Sequence, residues 1–457
     1  MEKTKQNKSH DFTQGNVAGQ LLRFASPLFL SSLLQVVYNM ADMIIVSHVS
    51  GKTGLSGVSV GGDVSNFLTF LVMGFANAGS VIISQYIGAG QKHKVGRFMG
   101  TLFSTLGIFA ISLSVVCLFL RRQLLVWMHC PEESFPEALG YATVCIAGLV
   151  FICGYNAVSA VFRGMGDSKR PFIFISVAAV MNIALDLLFV MGFHMGATGA
   201  GLATVISQGF SFIISTVYLF KNIRDYGITF GRQDITIDRE MCATLFKLGI
   251  PMAIKGASIM FSKLFVNSWV NSYGISVSAM AGIANKFGSV SNLFSNAINT
   301  AGSAMVGQNI GAEKYRRVPH IMLISFAVTF GIAVVLSAVL LLWPEFIFGI
   351  FTKDPSVMKV AMEFLPIAVL LFFGSSFRAC MNSLLNGSGN YPLNFVTALF
   401  DGMINRIGFG LLFGLALNMG YVGFWLGDAV AGFTPFVIGL IYFCSGKWKT
   451  RKYIIHE

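Results

Sequence analysis

Asn182 and Asp186 are the strongly polar side chains inside an otherwise apolar stretch that runs from Pro171 to Phe193. Four residues apart, they share one face of a helix. A carboxyl group in hydrocarbon costs about 3 kcal/mol on insertion scales unless it faces a cavity, finds partners, or takes up a proton or metal ion. Asp186 is therefore a candidate for binding a proton or cation, the alternative being a carboxylate that only hydrogen-bonds a neighbouring helix. A second pattern, Gly57-Val-Ser-Val-Gly61, matches the GxSxG of serine hydrolases. That motif needs a strand-to-helix turn and a nearby histidine, or, in an intramembrane protease, a helix-borne base at membrane depth. His10, His48, His93, His129, His194, His320 and His456 all avoid the middle of the apolar segments. Serine chemistry is disfavoured on that ground, and the stretch reads as a Gly- and Ser-rich helix that packs closely. With no HExxH, Walker A loop or dinucleotide fingerprint in the sequence, direct ATP drive is disfavoured too.

The elements that must position these residues follow from composition. The chain has 457 residues, of which 54% are hydrophobic and 11% charged, and a mean hydropathy of +0.70. That is the composition of a polytopic, all-α membrane protein. A formal charge of +12 is within the range of nucleic-acid binders, but the basic residues sit in short loops between apolar runs, which the positive-inside rule explains. The seven cysteines, Cys117, Cys130, Cys145, Cys153, Cys242, Cys380 and Cys444, form no CxxC and mostly fall in apolar segments, as small core residues do.

Apolar windows predict twelve transmembrane helices with cores at 24–48, 55–80, 98–120, 138–161, 171–193, 196–220, 249–272, 279–306, 319–343, 357–385, 392–415 and 420–444. With the N-terminus inside, the inner segments carry 22 Lys and Arg, including Lys3, Lys5 and Lys8, against 5 in the outer loops. Both termini are thus expected on the cytoplasmic side. The expected order is a cytoplasmic tail 1–23, an N-lobe 24–220, a basic linker 221–248, a C-lobe 249–444 and a second tail 445–457. A repeat supports the two lobes. Gly79-Ser80 with Gln85-Tyr-Ile-Gly-Ala89 returns as Gly302-Ser303 with Gln308-Asn-Ile-Gly-Ala312, at an offset of 223. Arg163-Gly-Met-Gly-Asp167 before Pro171 returns as Asn386-Gly-Ser-Gly-Asn390 before Pro392. Six helices per copy give a parallel repeat, with substrate expected between the lobes near the midplane.

Together these motifs, with Asp42 in the first helix and Gly199-Ala-Gly-Leu-Ala-Thr204 in the sixth, resemble the MATE multidrug and toxic compound extrusion transporters over nearly the whole chain, and the DinF-like branch more than the NorM-like one. The resemblance implies two V-shaped lobes in a prokaryotic plasma membrane. It also implies export of a small amphipathic organic substrate by a monomer that needs no cofactor beyond H⁺ or Na⁺ as coupling ion and no nucleic acid. A lipid-linked saccharide flippase of the same superfamily is the rival reading. Carried over, the cation site falls on Asp42, Asn182, Asp186 and Thr204, and helix lengths place Asp42 about 27 Å, and Asp186 about 22 Å, from the cytoplasmic ends of their helices. The acids of the NorM-like pattern are missing from helices 7 and 8, where Lys255, Lys263 and Lys286 stand instead.

Two further expectations concern proline and charge. Pro27 and Pro251 should bend helices 1 and 7 as hinges. The N-lobe interior carries Asp42, Asp63 and Asp186, whereas the C-lobe carries Lys255, Lys263, Lys286, Arg378 and Arg406 against Asp401 and Asp428. Lys255 and Arg378 lie within reach of the cytoplasmic interface, so snorkelling is expected of them, and Asp401 and Asp428 should each neutralise a base. Lys263, about 21 Å deep, should face the cavity or an acid. Such a C-lobe surface favours anionic or zwitterionic substrates.

Overall fold

Long apolar runs interrupted by Gly, Pro and short polar turns leave the backbone one way to satisfy itself in hydrocarbon, as helices. The computed structural model describes residues 10–128 and 130–455, so Lys3, Lys5, Lys8, His129 and His456 lie outside the described residues. Among the described residues there is no strand. The run Val17–Gly88 is two helices, α1 (17–50) and α2 (52–88), joined at Gly51, whose φ of 59° and ψ of −144° are non-helical. α3 is Lys92–Trp127, and α4 is Phe135–Ala147 with Leu149–Gly164, bent by 50°. α5, Lys169–Asp186, continues into the π-helical turn Leu187–Gly192, and α6 is Gly196–Asn222. α7 to α10 are Arg239–Asn271, Ile275–Gly311, Val318–Leu342 and Pro355–Gly387. α11 runs from Tyr391 to Ala416 with π-helical turns at Phe400–Ile404 and Leu412–Ala416. α12 is Gly420–Ala431 with Thr434–Cys444. Nine of these runs, among the described residues, are long and apolar enough to cross a membrane, or ten with bent α4. The run Val17–Gly88 supplies two spans, and α8, with 37 residues rich in Gly, Ser and Asn, completes the twelve.

The repeat seen in the sequence is also a repeat of backbone conformation. Left-handed φ occurs at Gly51 and Gly274, at Gly90 and Glu313, at Gly166 and Gly389, at His194 and Asn418, and at Gly196 and Gly420. These pairs keep the spacing of the sequence repeat. Glu313, His194 and Asn418 hold a region that L-residues rarely enter, so the duplicated fold dictates the turn even where glycine has been replaced.

Two compact units emerge, one of Ser26–Gly249 and one of Phe12–Ala25 with the chain from Ile250 onward. Residues that fall in the expected tail 1–23 and linker 221–248 pack against these units. In the second unit the backbone N–H of Phe12 donates to Gln308 Oε1 at 3.0 Å, and Asn309 Nδ2 donates to the Phe12 carbonyl at 3.1 Å. The Phe12 and Phe24 rings lie 5.0 Å apart there. In the first unit Thr101 Oγ1 donates to the Thr236 carbonyl at 3.1 Å, and Arg97 pairs with Asp238 at 2.8 Å. A Cβ on Gly100 would meet the Asp234 carbonyl oxygen at 1.7 Å. Glycine there is what lets the connecting segment lie against α3.

Gly57 and Gly61 of the GxSxG pattern serve the same end. A Cβ on Gly57 would meet Glu137 Cβ at 2.5 Å, and one on Gly61 the Ala138 carbonyl at 3.0 Å, so this stretch of α2 packs closely on α4. Glu137 has a second task. Its Oε2 accepts from the Ala197 N–H at 2.7 Å, capping the start of α6 where an anion is favoured by the unpaired amides. Glu137→Ala is expected to cost about 1 kcal/mol, seen as earlier thermal unfolding in detergent, and an unchanged melting curve would remove the cap from the account.

Candidate cation site and the C-lobe charge network

In the first unit three helices each present two polar side chains four residues apart: Tyr38 and Asp42 on α1, Asn182 and Asp186 on α5, Thr204 and Gln208 on α6. The i, i+4 spacing stacks each pair along one face, and α1 and α6 match rung for rung. Thr204 Oγ1 donates to Asp42 Oδ2 at 3.4 Å, and Gln208 Nε2 donates to the Tyr38 hydroxyl at 3.5 Å. From α5, Asn182 Nδ2 donates to Thr204 Oγ1 at 3.4 Å. The carboxyl groups of Asp42 and Asp186 are neighbours in this cluster. All three of Asp42, Asn182 and Asp186 are buried, at 1%, 2% and 0% exposure. The structure therefore brings together the four residues named from the sequence and adds Tyr38 and Gln208. Their signal, a polar side chain one turn from each site residue within an apolar span, was present but is shared with many packing contacts. Asp63, counted among the interior acids of this lobe, is instead exposed and takes no part.

Donors are scarce in this cluster. Asp42 Oδ1, Asn182 Oδ1, both carboxyl oxygens of Asp186 and Gln208 Oε1 are buried without a hydrogen-bond partner. Buried acceptors without donors are costly, and two carboxylates with no ion pair are more so. A proton or a small hard cation relieves both conditions at once. Among the described residues no group of three His, Cys, Asp or Glu could hold a metal ion. The oxygen set here, two carboxylates with an amide and a hydroxyl, suits Na⁺ rather than a transition metal. Directly after Asp186 the helix widens into the π-turn Leu187–Gly192, a distortion that often marks functional positions.

The second unit holds its charges differently. Arg406, 1% exposed, donates to the Asp401 carbonyl at 2.8 Å, lies 3.2 Å from Asp401 Oδ1, and pairs with Asp428 through its other terminal nitrogen. Each acid thus pairs with a base as expected, and one arginine takes both. Arg378 Nη2 stands 3.8 Å from Asp401 and its Nε donates to the Gly432 carbonyl at 3.4 Å. Lys255 Nζ donates to Asn382 Oδ1 at 2.7 Å. Both therefore have partners within the protein. Lys286 is exposed. Lys263 has no hydrogen-bond or ion-pair partner among the described residues and borders a cavity of about 40 Å³ with Asn267, Asn285, Asp428, Phe364 and Trp425. Its Nζ would lie 3.8 Å from a Cβ on Gly288.

A duplicated all-α bundle with a buried acid cluster in one half defines a multi-pass membrane transporter fold. The family model MatE matches residues 27–188 and again 251–412, once per repeat, and the chain belongs to that family, the MATE transporters. Over 449 residues it is 28% identical to the probable multidrug resistance protein YpnP of Bacillus subtilis, covering 97% of this chain and 99% of that one. It is 24% identical, over 96% of its length and 94% of the relative's, to the probable multidrug resistance protein NorM of Thermotoga maritima. Among solved structures, a MOP superfamily transporter of Pyrococcus furiosus, described for the reverse polarity of its binding pocket, superposes with a TM-score of 0.88 at 21% identity, covering 98% of this chain and 99% of that one.

Proposed function

We propose that this protein is an H⁺- or Na⁺-coupled antiporter of the DinF-like type that exports amphipathic organic compounds by alternating access of its two lobes, with both termini on the cytoplasmic side. The observation that carries the reading is the cluster of five buried acceptor oxygens without donors around Asp42 and Asp186. A cation entering there changes the local charge by one unit in a low-dielectric site, enough to bias one conformation over another. The relatives' description as multidrug resistance proteins supports organic compounds as cargo. The experiment is dye efflux from proteoliposomes with pH and Na⁺ gradients imposed separately. One gradient should drive transport, and failure of both would end the reading.

The hinge assignment gains support from the way the chain divides. The boundaries between Ala25 and Ser26 and between Gly249 and Ile250 each fall two residues before a helix-internal proline, Pro27 and Pro251. Proline removes one backbone hydrogen bond and lowers the cost of bending there. Pro27→Ala should express normally and transport several-fold more slowly, on the order of 1 kcal/mol in the barrier. A wild-type rate would mean a static kink.

The C-lobe supports a reading of substrate charge. Arg378 and Arg406 have carboxylates and Lys255 has an amide, which leaves the Lys263 ammonium facing its small cavity beside two asparagines, a tryptophan and Asp428, an acid already paired with Arg406. The cavity is large enough for the carboxylate, sulfate or phosphate end of a substrate, not for a whole drug. Anionic or zwitterionic compounds are the class this arrangement favours. In paired assays wild type should export an anionic dye faster than its matched cationic analogue, and Lys263→Met should remove the preference. Preference of wild type for the cation would refute the charge argument while leaving the cation site untouched.

A further inference from the structure

We propose that a trough on the lipid side of the first unit, between α3, α4 and α6, binds the acyl chain of an anionic lipid from the leaflet on the linker side. The trough encloses about 470 Å³, the size of a small-molecule site. Its walls come from the linker-side half of α3, including Gly107, from Gly154 on α4, and from Phe212 and Thr216 on α6, while Phe230 and Ile235 of the connecting segment close its linker end. Small residues open it: a Cβ on Gly107 would meet nothing within 4 Å, and the Phe212 ring leans into the space over Gly154, 2.6 Å from where a Cβ would sit. On either side the helices expose the large apolar side chains of a lipid-facing surface, Ile108 and Ile111 on α3 and Ile213 and Val217 on α6.

An apolar trough in a membrane gives no hydrophobic driving force over the surrounding lipid tails, so selective occupancy has to come from packing and from the head group. The mouth supplies the second. Lys221 directly follows Phe220, which lines the trough, and Arg232 stands two residues after Phe230. Both bases, and Arg224 between them, are exposed and have no partner among the described residues. The acids nearby are engaged, Asp234 with the Gly231 N–H at 2.8 Å and Asp238 with Arg97. An anionic head group beside those bases, with one chain running past Phe230 toward Gly107, uses both features. The proposal does not depend on the coupling mechanism or on substrate charge.

Native mass spectrometry of the full-length protein in detergent tests it, with dioleoyl phosphatidylglycerol and dioleoyl phosphatidylcholine as probes. Wild type should retain phosphatidylglycerol on the order of tenfold better than phosphatidylcholine. Gly107→Leu, which grows into open space and should leave the melting curve unchanged, should reduce phosphatidylglycerol binding to the phosphatidylcholine level. Thr216→Phe fills the trough from the opposite wall and serves if Gly107→Leu misfolds. Lys221→Gln with Arg232→Gln should lose the preference between head groups. Equal retention of both lipids by wild type, or phosphatidylglycerol binding untouched by either filling variant, overturns the proposal. So does a result in which the filling variants spare lipid and instead block retention of an apolar dye.

Discussion

Asp186→Asn abolishes gradient-driven efflux while leaving downhill leak and folding intact: that is the expected result if the α1–α5–α6 cluster couples the cation to transport. Asparagine keeps the shape of the side chain and its neighbours. It cannot release a proton or balance a bound Na⁺, so occupancy no longer changes the local charge. Coupling free energies between sites run to about 1–3 kcal/mol, on the order of 5–150-fold in the coupled equilibrium. Asp42→Asn should act alike, since the two carboxyl groups share one site, and the double variant should be little worse than either single one. Tyr38→Phe and Gln208→Leu remove one rung above the site and should shift the concentration of H⁺ or Na⁺ needed for half-maximal rate without ending coupling. Efflux that persists at the wild-type rate in both Asp186→Asn and Asp42→Asn would show that the cluster is structural.

Asp401→Asn should be the most destabilising single substitution in the second unit. Arg406 is 1% exposed and depends on Asp401 for a carbonyl and a carboxylate contact, while Arg378 has Asp401 as its carboxylate neighbour. Neutralising that acid leaves two arginines to share Asp428. Removing one partner of a buried ion pair costs about 3–5 kcal/mol, whereas replacing the whole set by apolar groups of similar size costs much less. Heating in detergent should therefore unfold Asp401→Asn well before wild type, and Asp401→Asn with Arg406→Met should recover part of the difference. If the single variant melts with wild type, the network carries little stability and its charges are better assigned to ligand contact.

Much of this arrangement could be read from the sequence, and the reason is the bilayer. Helix count, the duplication and the acids on α1 and α5 are written in residue type, because few polar groups survive in apolar spans unless they are used. The sequence repeat proves to be a repeat of backbone conformation as well, as at Gly90 and Glu313, though no left-handed turn is read from it. What escaped were partners chosen across helices. Nothing in linear spacing says that Arg406 takes both Asp401 and Asp428, that Lys255 ends on Asn382, or that Asp63 is exposed. The packing of the segments that flank the helices escaped for a different reason. Segments such as 228–238 are polar enough to read as loops, and only the close approach permitted by Gly100 shows that they pack.

The division of the chain at Pro27 and Pro251 bears on how such a molecule arose. The residues just before Pro27, Phe12–Ala25, belong with the second unit, and their counterparts just before Pro251 belong with the first. Neither half of the chain, cut at the middle of the sequence, contains a whole structural unit. In an ancestor made of two identical single-copy subunits, the same exchange would have been a domain swap, each subunit lending its opening turns to the other. Fusion of the two copies into one chain would have fixed the exchange within a single molecule. On this view, separately produced halves split near residue 235 should be unstable alone and regain structure only when expressed together.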